Sequence, residues 1–443
     1  MELEPQSDVK FSRVGIVAYA RLVRENRNFR RLWLAQIVSE IGDWFYTLVI
    51  YNLLLDFTGR AASVALALAL QVLPNTLMGP TAGVVNDRMR RKVVMITADL
   101  VRFAVVLSML FVSSPGMVWL VYPLLVLEAT MVAFFEPART SVIPVICRAE
   151  DVILANTMAS TTWSANLMLG AAVGGVAAAL LGRDAVFVLN ALSFLASAWL
   201  IRGMKFEEPH VDVDEPLRPR HLVTLAPILE GVRYVRQDRR LLALVFAKAG
   251  LLMIGPSWVL MTVMGKNNFP VHLAGLTPAR GAVLGMSFLM GSRGLGALIG
   301  PLLAAPWAGH RSSRLRLGIL IGFCFAGAGY TLLGVAPNLA LACLALAGGH
   351  IGGSVIWVFS TTLLQLNTED RFRGRVFSAE LGFCMFTIAA GAWIAGYALD
   401  TGVPARTVAI AAGLMMIVPI TAWAFAMRLW RQDEEGGPAA EVS

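Results

Sequence analysis

Long apolar runs alternate with short charged links along almost the whole chain. Ala61–Val85 carries no charge, and Val93–Val112 carries only Asp99 and Arg102. At ~1.5 Å per residue each such run crosses the ~30 Å of a bilayer's hydrocarbon. Within lipid a helix satisfies its own backbone, so each run is predicted to be a transmembrane helix. In the first half the runs lie at about Leu32–Leu55, Ser63–Val85, Val93–Val112, Met117–Pro137, Ile153–Leu181 and Ala185–Met204. In the second half they lie at about Leu241–Met264, Ala282–Ala304, Leu317–Ala336, Leu339–Leu364, Val376–Leu399 and Arg406–Leu429. The predicted fold is an all-α integral membrane protein with twelve transmembrane helices.

The polar links divide this pattern. Residues 1–31 form an N-terminal segment with no secretory signal. Phe11, Val14, Ala18 and Leu22 share a helical face there, which suits either a helix on the inner membrane surface or a plain cytosolic tail. Residues 205–240 are a linker: Glu207–Pro219 is acidic with three prolines, and Leu222–Arg240 spaces Ile228, Val232 and Val235 as an amphipathic helix. Six-helix bundles are expected at 32–204 and 241–429, with a tail at 430–443. Arg239-Arg240-Leu241-Leu242 repeats Arg30-Arg31-Leu32-Trp33, as two pseudo-repeated bundles around a central cavity require. With both termini inside, 29 of the 37 lysines and arginines lie on the inner side, and only Arg60, Arg183, Lys266, Arg280 and Arg406 outside. That bias places both termini in the cytoplasm.

Composition narrows the function. The chain is 57% hydrophobic and 15% charged, which excludes an ordinary soluble domain. Its +8 charge raises nucleic acid as a partner, but the cations sit in short loops rather than on one face. Cys147, Cys324, Cys343 and Cys384 have no metal-ligand spacing, and the five histidines form no pair. No G-x-x-x-x-G-K-[ST] phosphate loop occurs, and the one approach to an H-x-x-x-x-D acyltransferase motif has Glu215 after His210. Neither an enzyme nor a cofactor is expected.

Between the second and third runs stands Gly83-Val84-Val85-Asn86-Asp87-Arg88-Met89-Arg90-Arg91-Lys92. Gly83, Asp87, Arg88, Arg91 and Lys92 match the inter-helix signature of the major facilitator superfamily, with Arg90 in place of its second glycine. Further marks are Asn28-Phe29-Arg30-Arg31-Leu32-Trp33, Gly42-Asp43, Glu136-Pro137-Ala138-Arg139, Ile143-Pro144 and Leu154-Ala155-Asn156. Later come Glu230-Gly231-x-Arg233-Tyr234-Val235 and Arg373-Gly374-Arg375-Val376-Phe377-Ser378. Together they resemble the branch containing enterobactin and macrolide exporters. Gly170-Ala171-Ala172-Val173-Gly174-Gly175 resembles an antiporter motif, with Ala171 where proline is usual; Gly170 and Gly174 also make a small-residue face for close helix packing. The resemblance implies a gating role for the signature loop, in which Asp87 closes against the start of the eleventh helix near Arg375–Ser378.

Charges inside spans cost roughly 2.5–3.5 kcal/mol each on insertion scales, so retained ones are functional candidates. Glu40 and Asp43 share a helix face, Asp43 lies about mid-membrane, and Glu128 lies at similar depth. The resemblance implies that the first, fourth, seventh and tenth spans line the cavity, offering Glu40, Asp43, Glu128, Lys248 and His350. The repeat register places Lys248 beside Glu40, as a possible pair across the halves. Asp99 and Arg102 are read as a structural pair, three apart on one helix. His350 is a packing residue or a cavity liner, and Arg293 either holds an anionic group or pairs with an acid such as Glu380. Trp44, Phe135, Trp163 and Trp357 suit a bulky apolar cargo. Asp43, then Glu40, then Glu128 are the proton-coupling candidates, because burial disfavours a charged carboxylate. These residues point to proton-coupled efflux, by antiport, of small hydrophobic molecules such as drugs or siderophores. The protein would act as a monomer in a bacterial cytoplasmic membrane, with protons and the lipid bilayer as partners. A lysophospholipid flippase-like or uptake transporter is the sibling alternative; a scaffold would gain nothing from these acids.

Overall fold

The structure is a computed structural model describing residues 16–148, 151–208, 226–250, 255–274, 277–309 and 311–436. No strand occurs among them. The helices are α1 (Ile16–Glu25), α2 (Arg27–Thr58), α3 (Ala61–Arg88), α4 (Arg91–Ser108), α5 (Val121–Ile146), α6 (Val152–Leu181), α7 (Arg183–Arg202) and α8 (Ala226–Gln237). They continue with α9 (Arg239–Ala249), α10 (Gly255–Asn267), α11 (Pro278–Ala308), α12 (Ser312–Val335), α13 (Leu339–Asn367), α14 (Asp370–Asp400), α15 (Ala405–Met415) and α16 (Ile417–Gly436).

Ten stretches among the described residues are long and apolar enough to span a membrane. The expected first and seventh spans lie outside that set. The first, in α2, has 32 residues but carries Glu40 and Asp43 among its apolar positions. The seventh is described in two pieces, α9 and α10, and residues 251–254 between them lie outside the described residues. The twelfth also breaks, at Met416, because Pro419 in the first turn of α16 cannot bond to the carbonyl four residues back. The fourth extends further than expected. α5 runs through Pro137 and Pro144 to Ile146; Thr140 donates to Glu136 O (3.0 Å) and Arg91 to Ser141 O (3.1 Å) in the same stretch. Large apolar side chains such as Leu180, Trp199, Leu303 and Leu344 point outward, as a lipid-facing surface requires.

Local chemistry sets several helix ends. Asn26 caps α2 by accepting from Phe29 N (2.9 Å), and Gly59 closes it at φ 65°, where a side chain would be strained. Asn338 caps α13 in the same way (3.0 Å). α1 is not simply a surface helix: Leu22 is buried in an apolar cluster with Phe29, Met95, Ile143 and Ile201, and Arg21 pairs with Asp151 at 2.9 Å. Phe11 and Val14 lie outside the described residues, as do residues 209–225 of the expected linker.

α2 packs on α6 and α7, and α5 on α3 and α4; in the C-terminal part α13 packs on α11 and α12, and α12 on α15. The two parts meet where α3 packs against α14 and α6 against α11. At one end of the molecule Asp400 accepts from the free N–H groups of Ala61 (2.6 Å) and Ala62 (3.1 Å) at the start of α3. Lys266 and Asp56 pair at the same end. At the other end Gly79 and Gly83 of α3 face open space, and Leu77 is 55% exposed.

α6 approaches closely on two sides. A Cβ at Gly170 would lie 2.8 Å from Trp44 Cβ, and one at Gly174 would lie 2.8 Å from the Phe45 Cα. Gly175 faces Ser287 of α11 with no room for a side chain. The small-residue face therefore seats α6 on α2 and, across the two parts, on α11. Because a backbone atom, the Phe45 Cα, stands among those facing Gly174, Gly174→Val is expected to destabilise the protein by about 1–3 kcal/mol, read as a lower melting temperature of purified protein; unchanged melting would mean α6 is free to shift.

Candidate functional site

Four polar groupings lie inside the bundle. The first centres on Arg102 of α4, whose Nη2 donates to Asp43 Oδ2 at 2.6 Å and whose Nη1 lies 3.6 Å from Asp99 Oδ1. Its guanidinium stacks 4.0 Å from the Phe194 ring centre. Glu128 stands beside Tyr46, within electrostatic reach of both Asp43 and Arg102. Three carboxylates thus share one guanidinium. Both oxygens of Asp99 and Oε2 of Glu128 have no hydrogen-bond partner among the described residues. Asp43 is 31% exposed to internal space while Arg102 is almost wholly buried. Gly42 makes the arrangement possible: a Cβ there would lie 2.6 Å from Ser193 Oγ and collide with Asn190, so only glycine lets α7 come this close.

The spacing of Asp99 and Arg102 suggested a self-contained pair, but the shorter bond goes to Asp43 on another helix. Asp43, the first proton candidate, is therefore compensated by a cation. Glu128 is the acid left without a bonded counter-charge.

The second grouping explains the Glu136-Pro137-Ala138-Arg139 mark. Arg139 holds Glu136 (2.7 Å) and donates to Gln36 Oε1 (3.1 Å). Gln36 Nε2 donates to Glu40 (2.8 Å), whose other oxygen accepts from Asn166 (2.8 Å). Glu40 is thus held by amides of α2 and α6, and it does not pair with Lys248. Phe135, read as a cavity aromatic, is instead buried in the core.

Lys248 forms the third grouping. Its Nζ lies 2.5 Å from Glu380 of α14, donates to Thr361 Oγ1 (2.8 Å) and sits 4.3 Å from the Trp357 ring centre. Both charged side chains are 3% exposed, so Lys248 is committed to Glu380. The repeat register gave its depth but not its rotation, and α14 rather than α2 lies on its charged side.

The fourth grouping spans both parts of the chain. Trp44 stacks on Trp258 of α10 (6.0 Å, 3°) and meets Trp163 edge-on (6.4 Å), while Tyr51 meets Trp258 at 89°. Arg293 of α11 lies 3.8 Å from the Trp258 ring centre and donates from Nε to His350 Nε2 (3.1 Å). His350 bonds Leu346 O through Nδ1 (3.1 Å), so it is a neutral ring that positions Arg293. Trp258 escaped the sequence reading, although its place in a cavity-lining span was a signal for it.

The signature cations brace helix ends. Lys92 Nζ donates to Met204 O (2.7 Å) beyond α7, and Arg91 N donates to Glu208 (2.5 Å). Arg88 closes α3, and the side chain of Asp87 lies outside the described residues. α14 begins at Asp370, six residues before the expected Val376, so the amides of 375–378 are already inside the helix rather than free at its end. That stretch packs against α8 instead: Glu230 pairs with Arg375 (2.9 Å), Tyr234 stacks on Phe372 (4.4 Å), and Gly231 abuts the Arg375 carbonyl. Two marks far apart in sequence are thereby one contact.

Comparison with known proteins gives this arrangement its class. Residues 18–439 match the family described as transmembrane secretion effectors. YfiS, an MFS-type transporter of Bacillus subtilis, is 25% identical over 378 residues, covering 81% of this chain and 83% of that protein. Macrolide efflux protein A of Streptococcus pyogenes is 25% identical over 354 residues, covering 79% and 84%. Among solved structures, an inward-facing, unoccupied bacterial homologue of the human lysosomal transporter Spinster superposes with a TM-score of 0.67 at 15% identity. The match covers 95% of this chain and 99% of that one. The chain belongs to the transmembrane secretion effector family of the major facilitator superfamily: it is a multi-pass membrane transporter, not an enzyme.

Removing Arg102 would strand Asp43 and Asp99 within the bundle. Arg102→Leu is expected to cost about 3–5 kcal/mol, seen as a large fall in melting temperature, and adding Asp43→Asn and Asp99→Asn should restore most of it. Wild-type melting of the single variant would mean that the acids are solvated without the guanidinium.

Proposed function

We propose that this protein is a proton-coupled exporter of small, largely hydrophobic organic molecules, working by alternating access. The fold of the reading is twelve spans in two six-helix bundles, 32–204 and 241–429, joined by the cytoplasmic linker 205–240. Both termini lie in the cytoplasm of a bacterial plasma membrane, and one chain encloses the whole pathway. The observation that carries the reading is the surplus of carboxylate around Arg102. One guanidinium neutralises about one of Asp43, Asp99 and Glu128, and a proton is the smallest ion that can neutralise another in a site lined by Phe194 and Tyr46.

Glu128 is the first proton site in this scheme and Glu40 the second, while Asp43 is the exposed partner that Arg102 holds or releases. One pH unit supplies ~1.4 kcal/mol per proton, and a 100 mV potential adds ~2.3 kcal/mol per charge. A single proton then suffices for several-hundredfold accumulation of a neutral cargo. The tryptophans Trp44, Trp163 and Trp258 offer the flat apolar surface such a cargo needs, and the name of macrolide efflux protein A agrees with a bulky one. Closure at the Asp56–Lys266–Asp400 end, with open space beside Gly79 and Gly83, corresponds to the inward-open half of the cycle.

Gradient-driven flux in proteoliposomes tests this. Glu128→Gln is expected to reduce cargo accumulation driven by a pH gradient at least tenfold while leaving exchange without a gradient near the wild-type level. Full gradient-driven transport by a Glu128→Gln, Glu40→Gln double variant would sink the reading.

A further inference from the structure

Among the described residues, the cations held inside the bundle include Arg102, paired with Asp43 and Asp99, Arg139, paired with Glu136, and Lys248, paired with Glu380. Arg293 differs from these three. Among the described residues no carboxylate lies in ion-pair reach of it; its bonded partner is a neutral histidine and its other face rests on Trp258. The acid that could have served, Glu380, is taken by Lys248. Arg293 is nonetheless partly exposed deep within the molecule, beside Trp44, Trp258 and Tyr51. A guanidinium here presents a planar fork that recognises carboxylates, and no counter-charge occupies it.

We propose that Arg293 binds the negative group of the cargo, which is an organic anion carrying an aromatic or flat apolar body, with a carboxylate as the simplest case. The proposal rests on the transport reading above and names the cargo class for that same site. The apolar body lies against Trp44 and Trp258, and His350 fixes the guanidinium through its Nε2. The two parts of the chain then divide the work: the acids around Arg102 take the proton, and Arg293 takes the anion. Exchanging one proton for one monoanion moves two positive charges inward, so a 100 mV inside-negative potential favours export roughly fifty-fold per charge.

Calorimetric titration of the purified protein, without any gradient, tests this with three matched probes: 1-naphthaleneacetate, its neutral amide and 1-naphthylmethylamine. The carboxylate is expected to bind at least tenfold more tightly than the amide, and the amine most weakly. Arg293→Gln should abolish the preference while leaving affinity for the amide within about twofold, and Arg293→Lys should retain part of it. Equal binding of the three, no binding of any, strongest binding of the amine, or an undiminished preference in Arg293→Gln would overturn the proposal. Because no gradient is used, a carboxylate preference alongside failed proton coupling would remove the coupling and leave the anion site standing.

Discussion

A charge within a bundle that faces lipid must find its counter-charge inside the protein, because the hydrocarbon supplies none and the cost of leaving it alone is several kcal/mol. That constraint organises this molecule. Arg102 draws α2 and α4 together through Asp43, and the close approach of α7 that surrounds the pair depends on Gly42. Lys248 and Glu380 join α9 to α14 in the same way. Glu128 has no bonded cation and Arg293 no carboxylate in ion-pair reach among the described residues, and these are the two places where the proposed transport puts a proton and an anion.

The apolar packing holds these fixed points in register. α6 is seated on α2 through Gly170 and Gly174, and on α11 through Gly175. The polar contacts at the Asp400 end are a carboxylate on two free amides and exposed ion pairs, each worth little in water and easily exchanged for hydration. At the opposite end α8 is fastened to α14 by Glu230–Arg375 and the Tyr234–Phe372 stack, so the C-terminal part carries that helix with it.

Much of the helix pattern was legible in the sequence because hydrophobicity over twenty residues decides whether a segment can enter a bilayer. The break at Met416 was not, since a proline ends one helix and passes through another: α5 runs through Pro137 and Pro144 to Ile146. The acids at Glu40, Asp43 and Glu128 stood out by their insertion cost alone. Their partners did not. Sequence spacing offered Asp99 to Arg102 and Glu40 to Lys248, but a pairing between helices depends on how each is rotated, which a residue count does not specify. Trp258 was hidden for a related reason: an aromatic residue in an apolar span looks the same whether it faces lipid or a second tryptophan.

The central claim is that the two parts rock about their common contact, so distances between spin labels test it most directly. With the four native cysteines replaced, one pair of labels at Met89 and Leu366 reports the end beside the signature loop, and another at Ser114 and Val335 reports the opposite end. The account predicts two populations for each pair, exchanging reciprocally as cargo and protons are varied: the first distance shortens as the second lengthens. A single unchanging distance at both ends, under every combination of pH and cargo, would contradict it.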